Sequence, residues 1–322
     1  MPLFSPGLLK RFELLSRYAQ RTGGSPLLAA PRKKLPGGGT EVTGHRDYSP
    51  GDDFHAIDWT LCAKRNELYV KLFEGQADRD VHLLLDCSPS MGLGHPAKFQ
   101  LARQVAAALG YVSLLRLDRL IVAGFADGLV ATLPPLRHRS RVLRFLRFLD
   151  GLSPCGQQTD LVRTVEMFID RPQRSGPVVV ISDFYDEDGY RRGCELLRYH
   201  GYDPRLVQII DPADGDTSLL GDVELIDVES RCGTRATITE RTVRRYRQLV
   251  AEFHESVRVY CRRKGIFHLP LACDTPEDEI YRRALGCHIK GDSPHLCAAP
   301  SGPFRQMGTV PFYDALEPTA VS

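Results

Sequence analysis

The chain lacks any long apolar run. Its longest apolar stretch, around Val105 to Leu115, is too short to span a bilayer and is flanked by Arg103 and Arg116. At the amino terminus Lys10 and Arg11 follow a short apolar start, without the apolar core or cleavage site of a secretion signal. An excess of one charge is also missing. The formal net charge is +2 over 322 residues, which gives no footing for binding nucleic acid or an anionic membrane. The nine cysteines are odd in number and never spaced Cys-x-x-Cys, so reduced thiols are expected and a disulfide framework is not. Neither a G-x-S-x-G elbow nor a G-x-x-x-x-G-K-[ST] phosphate loop occurs, and no internal repeat is evident. Together these absences describe a cytoplasmic globular protein with no transmembrane segment and no nucleic-acid partner.

What is present centres on Val81 to Met91, VHLLLDCSPSM. A short aliphatic run stops on Asp86 and is followed by hydroxyls at Ser88 and Ser90. Such a run fits a strand buried on both faces, as in a parallel sheet. Ligands of these sheets bind at the carboxyl ends of the strands. One carboxylate and two hydroxyls at that edge are hard oxygen donors suited to Mg2+ or Mn2+. The plainer alternative is an Asp that ends a strand and caps the next helix, with the serines in a turn.

Strand and helix patterns alternate from there on. Phe99 to Leu115 is expected to be a helix, and Leu120 to Phe125 and Leu129 to Leu133 a hairpin around Asp127-Gly128. Val142 to Leu149 and Leu161 to Ile169 are expected helices, and Pro177 to Ser182 is a second apolar strand that stops on an acid, Asp183. A helix over Gly189 to His200 and a strand over Arg205 to Ile210 continue the alternation, which predicts a doubly wound, mostly parallel α/β sheet. An inserted hairpin is expected over Val223 to Val228 and Arg235 to Ile238. Thr239 opens a long helix closed by Lys264-Gly265, Ile266 to Leu271 is a last strand, and Thr275 is read as the cap of a last helix.

Ahead of this body, residues 3 to 22 have amphipathic helical spacing, and residues 23 to 40 read as a Gly/Pro-rich linker carrying Arg32-Lys33-Lys34. Ile57 and Trp59, then Leu68, Val70 and Leu72, read as two short strands, with the single tryptophan as a packing anchor. Asp52, Asp53 and Asp58 are interleaved with Arg46, Lys64, Arg65 and Lys71, which favours capping and pairing over a metal cluster. The expected layout is 1–39 amphipathic helix and linker, 40–80 a small β-rich element, 81–285 the α/β domain and 286–322 a flexible tail. Cys287, His288, His295 and Cys297 in that tail are too irregular for a convincing zinc knuckle.

Asp86 and Asp183 end different strands, and a doubly wound sheet can place both on one edge. Thr159 precedes a helix between them and can reach the same edge. These residues then gather with Ser88 and Ser90 around one point. This pattern of Asp86-x-Ser88-x-Ser90, the Thr159 loop and Ser182-Asp183 resembles a von Willebrand factor A domain with its metal-ion-dependent adhesion site. The upstream GHRDYSPGDDFHAIDW, with Val70 to Glu74, resembles the bacterial family called domain of unknown function 58. The resemblance implies a non-catalytic binding module that works beside MoxR-type AAA+ ATPases in assembly or maturation of other proteins. It implies direct ligation of Mg2+ or Mn2+ by Ser88, Ser90 and Thr159, action through water by Asp86 and Asp183, and a partner's Asp or Glu in the open position. Relatives often carry membrane helices ahead of the domain, and this sequence has none.

The alternative from another class is an enzyme, a Mg2+-dependent phosphohydrolase with Asp86 as nucleophile. Such enzymes place a second acid two residues on, where this chain has Ser88. Cys87 and Cys155 flank the same edge and are read as small apolar residues.

Overall fold

A computed structural model describes residues 25–29, 35–36, 42–49, 57–65, 67–73, 79–94, 98–215, 220–226 and 233–286. In chain order the elements are β1 (Leu35–Pro36), β2 (Val42–Asp47), α1 (Trp59–Arg65), β3 (Tyr69–Phe73), β4 (Asp80–Asp86) and α2 (Lys98–Leu115). They continue as β5 (Arg119–Phe125), β6 (Leu129–Leu136), α3 (Val142–Gly151), α4 (Leu161–Ile169), β7 (Pro177–Ser182), α5 (Glu187–Tyr199) and β8 (Asp203–Ile210). The last are β9 (Gly221–Ile226), β10 (Gly233–Ile238), α6 (Glu240–Lys264), β11 (Phe267–Ala272) and α7 (Glu277–Leu285).

Six strands form the central sheet in the order β11-β8-β7-β4-β5-β6. All neighbours are parallel except β6, which returns antiparallel along β5 through the expected hairpin. Every residue of β4 and β7 is buried. Both faces of the sheet are covered, so period-two alternation splits β4 between two cores. Val81, Leu83 and Leu85 join a core with α2, α3 and α7. Leu84 joins another with α4, α5 and α6. Each such fully buried aliphatic side chain contributes about 1.5–3 kcal/mol. This is the doubly wound, mostly parallel α/β architecture that the sequence predicts.

The chain leaves β4 towards β5, whereas β7, on the other side of β4, leads on to β8. The winding direction therefore changes between β4 and β7. In open α/β sheets the crevice outside the strands' carboxyl ends at this change is where ligands bind.

The small β-rich element is a three-stranded antiparallel sheet in the order β1-β3-β2. Its core is Ile57 and Val70, with Tyr48 and Cys62 against them. The two-strand expectation around Ile57 and Trp59 is corrected here. Ile57 makes only an isolated bridge to Val70, and residues 59–65 form helix α1. Asp58 is the reason: its Oδ1 accepts from the amides of Thr60 and Leu61, which starts a helix. Asp58 thus caps, as expected, and its Oδ2 lies 2.8 Å from His45 Nε2. Trp59 is 64% exposed and anchors no core.

Residues 25–29, expected as linker, form a turn in which Leu27 and Leu28 are 0% and 1% exposed within the core of α2 and α7. Ser25 donates to the Ala284 carbonyl at 2.6 Å, and the Arg205 guanidinium donates to the carbonyls of Pro26 and Ala29. The hairpin expected near 223–238 is β9–β10, a separate two-stranded sheet. Thr239 caps α6 by accepting from the Thr242 amide, and Gly265 ends it in the left-handed conformation at φ 63°. Thr275 does not cap α7; Pro276 holds that position without a side-chain bond. The expected helix at 3–22, the Arg32-Lys33-Lys34 cluster, Asp52, Asp53 and the cysteines and histidines at 287–297 lie outside the described residues. Among the described residues, no helix is long and apolar enough to cross a membrane.

Candidate functional site

Asp86 is the last residue of β4, and its carboxylate is completely buried. Its Oδ1 accepts from the Ser88 amide at 2.8 Å, a short-range turn that makes the chain fold back over the strand end. Pro89 then starts a single turn of 3-10 helix over Pro89–Gly92. Its fixed φ suits that first position. This turn brings the hydroxyls of Ser88 and Ser90 to 3.0 Å from each other.

β7 delivers the second group. Because β4 and β7 pair in parallel with Leu85 opposite Ile181, the residues that follow each strand emerge at one rim. Ser182 donates its hydroxyl proton to Asp86 Oδ2 at 2.5 Å and accepts from the Phe184 amide at 2.9 Å. Asp183 is buried, and its Oδ1 accepts from the Tyr185 amide at 3.4 Å. Phe184, between them, has φ 61°. A bulky residue in this region is strained by roughly 1–3 kcal/mol, and such strain concentrates at functional sites.

Thr159 arrives on the 155–160 loop. The Cys155 amide donates to the Cys87 carbonyl at 2.6 Å, and the Asp160 amide to the Ala126 carbonyl at 2.8 Å. Those bonds tie the loop to the ends of β4 and β5. Asp160 then caps α4 by accepting from the Arg163 amide. Thr159 itself is half-buried. Asp86, Ser88 and Ser90 are thus joined directly, Asp183 stands close enough to act electrostatically on Asp86, and the loop that carries Thr159 is anchored to the ends of β4 and β5.

Burial pushes the Asp86 carboxyl up to about 7, and the nearby Asp183 charge pushes the same way. The bonds from Ser182 and Ser88 hold it down in part. A rim with this charge density favours an added cation. One is already in place. Lys98, the first residue of α2, has a side chain only 2% exposed, and its Nζ lies 3.2 Å from Asp183 Oδ2 and 2.8 Å from Asp214 Oδ2. Its ammonium also sits 4.9 Å from the centre of the Tyr185 ring, and the Tyr185 hydroxyl donates to Asp214 at 3.0 Å.

Lys98, Tyr185 and Asp214 do not figure in the pattern read from the sequence, and Ser182 figures there only as the neighbour of Asp183. A lysine at a helix start ordinarily reads as solvated, and only the fold reveals that this one points inward. Among the described residues, no group of three or more His, Cys, Asp or Glu is placed to hold a metal ion. The donor set here is of another kind, two carboxylates with serine and threonine hydroxyls, which is the chemistry of hard cations. On that chemistry the residues fit such a cation.

Asp86 is fully buried, with Oδ1 accepting from the Ser88 amide and Oδ2 from the Ser182 hydroxyl. Burial raises the thiols of Cys87 and Cys155, which removes the thiolate that a cysteine nucleophile needs.

The family model described as protein of unknown function DUF58 matches residues 44–256. An uncharacterized protein of Mycobacterium tuberculosis, Rv1480, is 28% identical over 201 residues, which is 61% of this chain and 63% of that protein. The match therefore spans less than two thirds of this curated relative. The uncharacterized protein YeaD of Bacillus subtilis is 44% identical over 41 residues, 13% of this chain and 10% of that protein. Among solved structures, BatB from Bacteroides thetaiotaomicron is similar at a TM-score of 0.39 and 16% identity, covering 64% of this chain and 96% of its own. An aerotolerance-related membrane protein from Bacteroides fragilis is similar at a TM-score of 0.41 and 16% identity, covering 63% and 95%.

Proposed function

The chain belongs to the DUF58 family, and on that footing we propose that it is a non-catalytic protein-binding module whose recognition depends on a divalent cation. The observation that carries this reading is the buried Asp86 carboxylate at one rim with the Ser88–Ser90 hydroxyl pair and Asp183. Ser88, Ser90 and Thr159 would hold Mg2+ or Mn2+ by their hydroxyl oxygens. Asp86 and Asp183 would balance its charge. When bound, the cation offers a coordination position to an outside carboxylate. The partner class is therefore a protein presenting an Asp or Glu, and the family resemblance names a MoxR-type AAA+ ATPase, with assembly or maturation of other proteins as the process.

The chain's own residues do the preparatory work. Ser182 orients the Asp86 carboxylate, the Asp86–Ser88 turn precedes the paired hydroxyls of Ser88 and Ser90, and the hydrogen bond from the Cys155 amide to the Cys87 carbonyl anchors the loop that carries Thr159. A site ordered in this way loses little entropy when it takes up a ligand.

The test is binding of a purified MoxR-type ATPase from the same genome to the immobilised full chain. Such an ATPase uses Mg2+ with its nucleotide. The deciding comparison is thus wild type against the Ser88→Ala/Ser90→Ala variant in one Mg2+ buffer. The affinity is expected to fall roughly tenfold or more in the variant. Equal binding by both overturns the proposal.

A further inference from the structure

Lys98 has no role in the reading above, yet it pairs with one of its carboxylates, Asp183. The lysine opens α2, where the Lys98 amide donates to the Leu93 carbonyl at 3.1 Å. A cation at a helix amino terminus opposes the helix dipole, so it gains nothing from its own helix. Burying an ammonium is costly unless it is paired. Here two carboxylates from different elements pair it. Asp183 follows β7, and Asp214 lies in the short 3-10 turn Pro212–Gly215 after β8. Tyr185 completes the enclosure with its ring towards the ammonium and its hydroxyl on Asp214, and the ring itself stacks on Phe253 at 5.1 Å between centroids.

We infer that Lys98 is the resident cation of this rim, one that keeps the metal-free site stable and lowers its affinity for a divalent ion. The inference rests on the proposed metal-dependent reading. The Asp183 carboxylate has two claimants. In the metal-free protein its charge is matched by the Lys98 ammonium, so the rim does not need a metal in order to fold. A divalent ion that arrives at the Asp86, Ser88 and Ser90 cluster meets a carboxylate already neutralised and a fixed positive charge close by. Both effects weaken its uptake. Asp214 sets the balance, because it holds the ammonium at the shorter of the two distances, 2.8 Å against 3.2 Å, and so draws it from Asp183. A carboxylate brought by a partner adds the negative charge that the lysine cancels, which makes capture of the ion and of the partner mutually reinforcing.

The test uses the full chain, with Mg2+ alone as the probe. Calorimetric titration and thermal melting, with Mg2+ and with chelator, are compared for wild type, Lys98→Met and Asp214→Asn. For Lys98→Met the melting temperature in chelator falls, Mg2+ restores it, and the Mg2+ affinity rises roughly tenfold or more because a like charge has left the site. Asp214→Asn moves the opposite way: the ammonium is left to Asp183 alone, and Mg2+ affinity falls several-fold below wild type. A Lys98→Met protein that folds and binds Mg2+ no more tightly than wild type overturns the inference and leaves the metal-dependent reading standing. Should Lys98→Met fail to fold even in Mg2+, Asp214→Asn decides, and unchanged or tighter Mg2+ binding by it overturns the inference. An absence of Mg2+ uptake by wild type and both variants overturns the metal-dependent reading itself, and this inference with it.

Discussion

Ser182 and Asp86 meet across the β4–β7 pair, hydroxyl to carboxylate at 2.5 Å, and this bond joins the two strand ends on which the candidate site is built. The same Ser182 hydroxyl accepts from the Phe184 amide, which holds Phe184 in its strained conformation. Ser182→Ala removes both bonds in a buried setting. The expected loss of stability is about 1–3 kcal/mol, from one buried acceptor and one buried donor left without partners. Urea unfolding in chelator checks it, and a loss below about 0.5 kcal/mol, the usual limit for a neutral surface change, would deny the bond that role.

The pH dependence has opposing parts. Burial lowers His82 to about 4 from 6.5, partly offset by its bond to the Arg174 carbonyl. Burial likewise lowers His268 to about 4, with Arg258 and His254 acting in the same direction. Between those values the unfolded chain binds more protons than the folded one, so both imidazoles make stability fall as pH drops from 6.5 towards 4. Asp86 works in the other direction: raised from 3.8 to about 7, it binds its proton in the folded state first, and stability falls as pH rises through that window. Each of these imidazoles thus contributes a rise in stability between about pH 4 and 6.5, and Asp86 contributes a decline between 3.8 and about 7. His82→Phe, which preserves a ring against Phe168 and Tyr202, should flatten the acid limb by up to about 3 kcal/mol. Asp86→Asn should remove the decline. Denaturant midpoints measured from pH 4 to 8 read both (roughly one histidine and one carboxyl titration range).

Gly156 turns the loop that carries Thr159. Its φ is 83°, and a Cβ placed there would lie 2.7 Å from the Ala126 Cβ. Gly156→Ala should displace the loop without altering any proposed ligand. The expected result is a stability loss of about 1–3 kcal/mol together with weaker Mg2+ uptake. Unchanged uptake would show that Thr159 is not needed.

Leu27 and Leu28 are buried against α2 and α7 from a segment with the composition of a linker. Leu27→Ala should cost about 2–5 kcal/mol, as for other buried leucines. Thermal or urea unfolding checks it, and a cost under about 0.5 kcal/mol would return the segment to the status of a linker.

The parts of the fold legible in the sequence are those whose environment is uniform along the element or signalled within it. β4 and β7 are buried on both faces and read as unbroken apolar runs that end on an acid. The β5–β6 hairpin announces itself at Asp127-Gly128, and α6 has both a threonine cap and a terminal glycine. Helix α1 is hidden because seven residues hold too few turns to display a period, while Ile57 and Trp59 imitate alternation. Leu27 and Leu28 are hidden because glycines and prolines surround them and their partners are more than 200 residues away in α7. For the site, the spacing of Asp86, Ser88 and Ser90 is local and can be read directly. The Lys98–Asp183–Asp214 cluster joins three elements, and nothing within any one of them signals it.

The central claim is that the rim formed by Asp86, Ser88, Ser90, Thr159 and Asp183 holds a divalent cation. Calorimetric titration of Mg2+ and Mn2+ onto wild type and onto Ser88→Ala/Ser90→Ala tests it most directly. Saturable uptake by wild type, weakened roughly tenfold or more in the double variant, is the predicted result. Absence of uptake by wild type, or equal uptake by the double variant, would contradict it.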